Sequence, residues 1–109
     1  MQKLYVVVRG DLPAGLQCAQ ACHGVRAFVE EHPEADRDWY HNSNNLVVLT
    51  VPDEKSLTNL VLDAKQLGIG YVVFREPDLE DSVTCVVLQP GKASQKLTQR
   101  LPLALKKAA

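Results

Sequence analysis

The chain has only three cysteines, at positions 18, 22 and 85, and an odd number cannot close into a disulfide framework. Unpaired thiols suit a reducing compartment, so the expected location is the cytoplasm. Long hydrophobic runs are missing as well. The longest near the start is Leu4 to Val8, too short for a secretory leader or a membrane span. The glycine loops GxGxxG and GxxxxGK[ST] are both absent, so no motif calls for a nucleotide cofactor. Net charge is only −1, which argues against a general electrostatic attraction to nucleic acid. Internal repeats, low-complexity stretches and linkers are also lacking. Residues 1–109 therefore read as a single domain.

What is present is ordinary for a soluble globular fold. Apolar residues make up 46% and charged residues 23%, a balance that excludes wholesale disorder. The charge is unevenly spread. All thirteen acids lie at or before Asp81, whereas Lys92, Lys96, Arg100, Lys106 and Lys107 follow with no acid among them. Such a segment reads either as a solvated helix with a basic tail or as a basic face for phosphates.

Lys3 to Arg9 (KLYVVVR) is β-branched and aromatic, the composition of a buried strand. The turn cluster Gly10 to Gly15 leads into a long helix reaching about Glu31. Its expected core stripe is Cys18, Cys22, Val25 and Val29, with Ala21 and Phe28 beside it. His32-Pro33 ends that helix, because the residue before proline is pushed out of the helical region. Residues 33–45 read as a polar surface loop in which Trp39, Tyr40 and His41 cover the sheet. Leu46 to Val51 is a second strand. Asp53 then caps a helix whose face is Leu57, Leu60, Val61, Ala64 and Leu67, with Gly68 and Gly70 at its end. Tyr71 to Arg75 and Val83 to Leu88 are strands joined by an acidic turn. A last helix from about Ala93 presents Leu97 and Leu101. The fold class is α/β: a mixed four-stranded sheet in the order β-α-β-α-β-β-α, with helices packed on its faces. The two helical crossovers imply parallel neighbours, and the short turn implies an antiparallel pair.

Positions 16, 20, 23 and 27 share one face of the first helix, which reads Leu16, Gln20, His23, Ala27. That face begins at the carboxyl end of the first strand, where open α/β sheets tend to bind ligands. His23 can move a proton near neutral pH, and Gln20 can both donate and accept hydrogen bonds. Cys18, Cys22 and His23 do not converge, since adjacent helical positions point about 100° apart. No metal site is expected from them. Cys85 alternates with valines and reads as core.

The runs VVVRGDLPAGLQCAQACHG, LVVLTVPDEKSL and VVFREP…DSVTCVVLQP resemble, in that order and over nearly the whole chain, the type II peptidyl-tRNA hydrolase family. The resemblance implies a mixed-sheet α/β domain, usually a homodimer, that needs no cofactor or metal. The implied activity is hydrolysis of the ester between a peptide and the tRNA 3′ end. Arg9, Asp11, Gly15, Gln20, His23 and Thr84 fall on the family pattern, and its acid falls on Glu76 or, two residues on, Asp78. In this reading Glu76 or His23 is the base, while Gln20 and Thr84 position substrate or water. Arg9, Asp11, Gly15, Lys96 and Arg100 serve binding, the last two on the basic helix facing tRNA. Three departures stand out: the family lysine four residues before the glutamine is Leu16, the glycine loop is shorter, and acidic Asp78 to Asp81 replaces a Gly-Arg-Thr segment. These departures favour the alternative of an inactive domain of this fold that binds RNA, a small ligand or a protein.

Overall fold

The computed structural model describes residues 2–106, so Lys107 of the basic tail lies outside the described residues. Four strands form: β1 Lys3–Arg9, β2 Asn45–Val51, β3 Tyr71–Glu76 and β4 Ser82–Leu88. They make the expected mixed sheet, in the order β2-β1-β4-β3. β1 and β2 are parallel, and β4 runs antiparallel to both β1 and β3. The neighbour relation of the second crossover differs from expectation: β3 lies at the far edge from β2, with β1 and β4 between them. Composition explains this. β1 and β4 are buried over nearly their whole length, on both faces, and take the centre. β2 and β3, which carry exposed Leu46 and Arg75, take the edges.

Helices cover both faces. α1 (Ala14–Glu31) and α2 (Pro33–Asn42) pack on one face with Leu4, Val6, Val8, Val72 and Val87. α3 (Glu54–Gln66) packs on the other with Val7, Val83, Val86 and Leu88, where Leu97 of α4 (Lys92–Thr98) and Leu101 also lie. α2 corrects the expected loop at 33–45. Pro33 does break α1, but it also opens the next helix, where its missing N–H is no loss and its fixed φ is already helical. Glu34 and Asp36 in that first turn favour the helix dipole. Trp39 covers the sheet as expected, though from this helix, and its Nε1 donates to the Asn45 carbonyl at 2.6 Å. α3 follows its capping signals: Asp53 accepts from Ser56 N at 2.9 Å, and Gly68 leaves the helix at φ +69°, but Leu67, expected on its buried face, is the C-cap residue and is exposed.

The buried face of α1 is a second correction. Gln17, Gln20, Gly24 and Phe28 face the sheet, while Cys18 and Cys22 are exposed and line a groove toward β2 with Val25 and Val29. Both sets have helical spacing, so periodicity favoured the more apolar one. The glutamines are tolerated inside because each is hydrogen-bonded. Gly24 decides the matter sterically. A Cβ there would collide with Cys85 Sγ and stand 3.0 Å from Val87 Cγ2, so only glycine lets α1 lie directly on β4. Gly24→Ala should therefore destabilise the fold by about 1–3 kcal/mol through overpacking. A melting curve lowered by roughly 4–8 °C per kcal/mol is expected, and an unchanged midpoint would contradict this packing. Cys85 is core as expected, and burial pushes its thiol up to about 12.

Candidate functional site

The three parallel strands β1, β2 and β3 end at one edge of the sheet, where β4 begins and the first turn of α1 sits. β3 keeps strict alternation there, so Val72 and Phe74 face α1, and Glu76 reaches a side chain of that helix. β4 does not alternate. Phe74 pairs with Cys85 but Arg75 pairs with Val83, so Thr84 is an extra residue in a β-bulge. Val83 therefore points to the α3 side, while Thr84 and Cys85 both point to α1. The bulge aims a hydroxyl at the helix.

That hydroxyl meets Gln20. Thr84 Oγ1 donates to Gln20 Oε1 at 2.5 Å, and Gln20 Nε2 donates to Glu76 Oε1 at 2.8 Å. A carboxylate can only accept, so the Gln20 amide has one possible orientation and the chain runs Thr84 to Gln20 to Glu76. Glu76 Oε2 accepts from the Asp78 backbone N–H at 3.3 Å. The Gln20 donor first, then that backbone donor, hold the Glu76 carboxyl below its usual range, with a smaller attraction from His23. Gln20 and Thr84 are fully buried, whereas Glu76 is half-buried and His23 is exposed. His23 lies flat on Phe74, with ring centroids 4.8 Å apart. The structure thus brings together Gln20, His23, Glu76 and Thr84 from α1, β3 and β4.

The remaining sequence candidates lie elsewhere. Alternation along β1 turns Arg9 to the α3 side, away from Gln20. Its Nε and Nη2 donate to Asp11 Oδ1 and Oδ2, each at 2.9 Å, and Nη1 reaches Ser82 Oγ and the Val83 carbonyl at 3.3 and 3.4 Å. The pair holds the Asp11 carboxyl below its usual range. Gly15 is exposed in the first turn of α1 with open space around it. Lys96 and Arg100 stand exposed in the α3 layer, on the other face of the sheet from Gln20. The acidic segment does border the site: a 3-10 turn at Pro77–Leu79 follows Glu76 directly, and Asp78, Glu80 and Asp81 are exposed. Glu80 and Asp81 both adopt left-handed φ, 58° and 60°, closing the hairpin.

Sequence reasoning missed two supporting side chains. Gln17 Nε2 donates to the Leu12 carbonyl at 2.6 Å, fastening the loop between β1 and α1. Glu54 Oε2 accepts from Val83 N at 2.7 Å. Neither has a signal in periodicity, since both are polar groups engaged by backbone far along the chain or around a turn.

The carboxylate–amide–hydroxyl chain lies at the carboxyl ends of the parallel strands, where α/β sheets tend to bind ligands, and so marks an α/β domain with a polar candidate site. Comparison with known proteins narrows the class. The family model described as "Peptidyl-tRNA hydrolase PTH2" matches residues 2–104. A human protein named "Putative peptidyl-tRNA hydrolase PTRHD1" is 35% identical over 101 residues, covering 79% of this chain and 69% of its own. A "Peptidyl-tRNA hydrolase" of Thermococcus sibiricus is 30% identical over 113 residues, covering 93% and 96%. A solved structure of a protein of unknown function from Agrobacterium strain C58 superposes with TM-score 0.68 at 17% identity, covering 94% and 96%, which shows the shared fold. The chain belongs to the PTH2 peptidyl-tRNA hydrolase family.

Proposed function

We propose that this domain hydrolyses the ester joining a peptide to the 3′ end of tRNA, with Glu76 as the base. The observation that supports this reading is the single chain of hydrogen bonds from buried Thr84 through buried Gln20 to half-buried Glu76. Ester hydrolysis needs water aligned on the carbonyl carbon and a group to take its proton as the C–O bond forms. Glu76 is the member of the chain within reach of solvent. Gln20 holds one carboxylate oxygen and the Asp78 N–H the other, which fixes the plane in which a water would be gripped. Thr84 and Gln20 act through Glu76 as positioning residues. As the bond to ribose breaks, Glu76 gives up the proton it took, and exposed His23, braced on Phe74, is the group we assign to relay it to the departing ribose oxygen, which leaves both side chains as they began.

Gly15, at the open first turn of α1, is assigned to the tRNA 3′ end, and Lys96 and Arg100 to phosphates farther along the tRNA. Arg9 and Asp11 serve by holding the end of β1. Exposed Asp78, Glu80 and Asp81 repel phosphates on the hairpin side of the site, so in this reading the 3′ end enters beside α1 rather than over the hairpin. A homodimer acting in the cytoplasm completes the reading. Exposed Val29 and Leu46 beside the groove between α1 and β2, about 550 Å³, offer it an apolar surface.

The pH profile tests which group is the base. Because the folded Glu76 carboxyl lies below its ordinary value, it stays ionised through the neutral and mildly acidic range. Initial rates of release from labelled N-acetylaminoacyl-tRNA should therefore hold through that range and fall only at pH below the usual carboxyl range. An acid limb near 6.5 would overturn Glu76 and give the proton to a histidine.

A further inference from the structure

The bulge that aims Thr84 is itself held from the opposite side of the sheet. Pairing between β1 and β4 stops at Val8 with Cys85, so Val83 has no β1 residue opposite it. Its N–H is taken instead by Glu54 Oε2 at 2.7 Å, from the first turn of α3. Its carbonyl faces Arg9 Nη1 at 3.4 Å, and the same nitrogen reaches Ser82 Oγ at 3.3 Å. Arg9 is in turn fixed by its two-pronged pair with Asp11, and its side chain is only 15% exposed. Both polar groups of one peptide residue are thus met by charged side chains from the α3 side, immediately before the residue that turns toward α1.

We infer that Glu54, with Arg9 behind it, is a positioning residue: it fixes the Val83–Thr84 bulge so that the Thr84 hydroxyl meets Gln20 and orders Glu76. A bulge leaves backbone groups unpaired, and those groups choose its conformation by where they find partners. With Glu54 in place, Val83 is drawn toward α3 and Thr84 is driven to the other face. Without it, β4 gains nothing from the extra residue and can relax toward regular pairing, which rotates Thr84 out of reach of Gln20. The carboxylate therefore acts across the full thickness of the sheet. Its consequence for rate rests on the hydrolase reading, but its consequence for geometry does not.

The test compares wild type with Glu54→Ala and Glu54→Gln by amide NMR and by release from N-acetylaminoacyl-tRNA. In Glu54→Ala, the Val83 amide should exchange faster and the Gln20 side-chain amide resonances should shift, while amides of Val6 and Val7 keep their wild-type protection. Turnover should fall about tenfold, chiefly in kcat, because a small misplacement of a reacting group caused from a distance can cost up to about a hundredfold. Glu54→Gln keeps an oxygen acceptor for Val83 and should restore both the Gln20 resonances and most of kcat. Unmoved Gln20 resonances in folded Glu54→Ala would overturn the inference, as would Glu54→Gln behaving like Glu54→Ala. If wild type shows no hydrolysis, the hydrolase reading falls, and the Gln20 resonances still decide the role of Glu54.

Discussion

Replacing Glu76 by glutamine is expected to lower kcat for peptidyl-tRNA hydrolysis by about 10²–10⁴, the range contributed by a positioned general base. The substitution is isosteric at the end of β3: the new amide's oxygen can still accept from the Asp78 N–H, and the Gln20 amide can turn over, accepting from the new NH2 and donating to Thr84 Oγ1. Folding should therefore survive, with a melting midpoint close to wild type. What disappears is the negative oxygen that takes the proton from water. Binding of tRNA should be little changed, because Glu76 already sits beside three exposed carboxylates and removing one charge does not create a phosphate site. A variant that keeps wild-type kcat would remove Glu76 from the chemistry.

Gln20→Leu is expected to damage both stability and rate, and the two effects separate. Leucine is close to glutamine in size but leaves the buried Thr84 hydroxyl with no acceptor, a loss of roughly 1–3 kcal/mol. It also removes the donor that does most to hold the Glu76 carboxyl low, so the acid limb of the rate profile should move upward. The sign matters for stability too. A carboxyl lowered on folding stabilises the fold above its unfolded pKa, and that contribution is lost as pH falls through the folded value. Gln20→Leu therefore flattens the acid side of the stability curve. Adding Thr84→Val removes the orphaned hydroxyl, since replacing both partners of a buried bond by apolar groups is nearly neutral. The double variant should recover most of the lost stability and none of the lost activity. Recovery of activity would show that Thr84 and Gln20 have only a packing role.

Much of this fold was legible in the chain. β1 was readable from its β-branched and aromatic composition, and α3 from Asp53 at one end and Gly68 at the other. The β3–β4 hairpin followed from two apolar runs separated by a short acidic turn. Hydrophobic periodicity failed where burial is polar or sterically forced. Gln17, Gln20 and Gly24 make the inner face of α1, and none of them scores as apolar. α2 was hidden because a proline that ends one helix is equally suited to start another.

The site was legible only as a set of residue types. Helical spacing placed Gln20 beside His23, and family resemblance added Glu76 and Thr84, without saying that one hydrogen-bonded chain joins Thr84, Gln20 and Glu76. The bulge could not be read, because a single extra residue in β4 leaves no compositional trace: SVTCVVL is strand-like in either register. Arg9 was ambiguous for a related reason. Its face depends on where alternation along β1 starts, and only the packing of Val8 against the α1 layer and Val7 against the α3 layer fixes it.

The most direct measurement is release of N-acetylated amino acid from labelled tRNA with enzyme in excess, using wild type beside Glu76→Gln. Release well above the enzyme-free rate from wild type, and close to that rate from Glu76→Gln, is the expected result. Wild-type protein that is folded, present in excess and no faster than buffer would contradict the account, and would leave Leu16, where the family pattern has lysine, as the first position to restore.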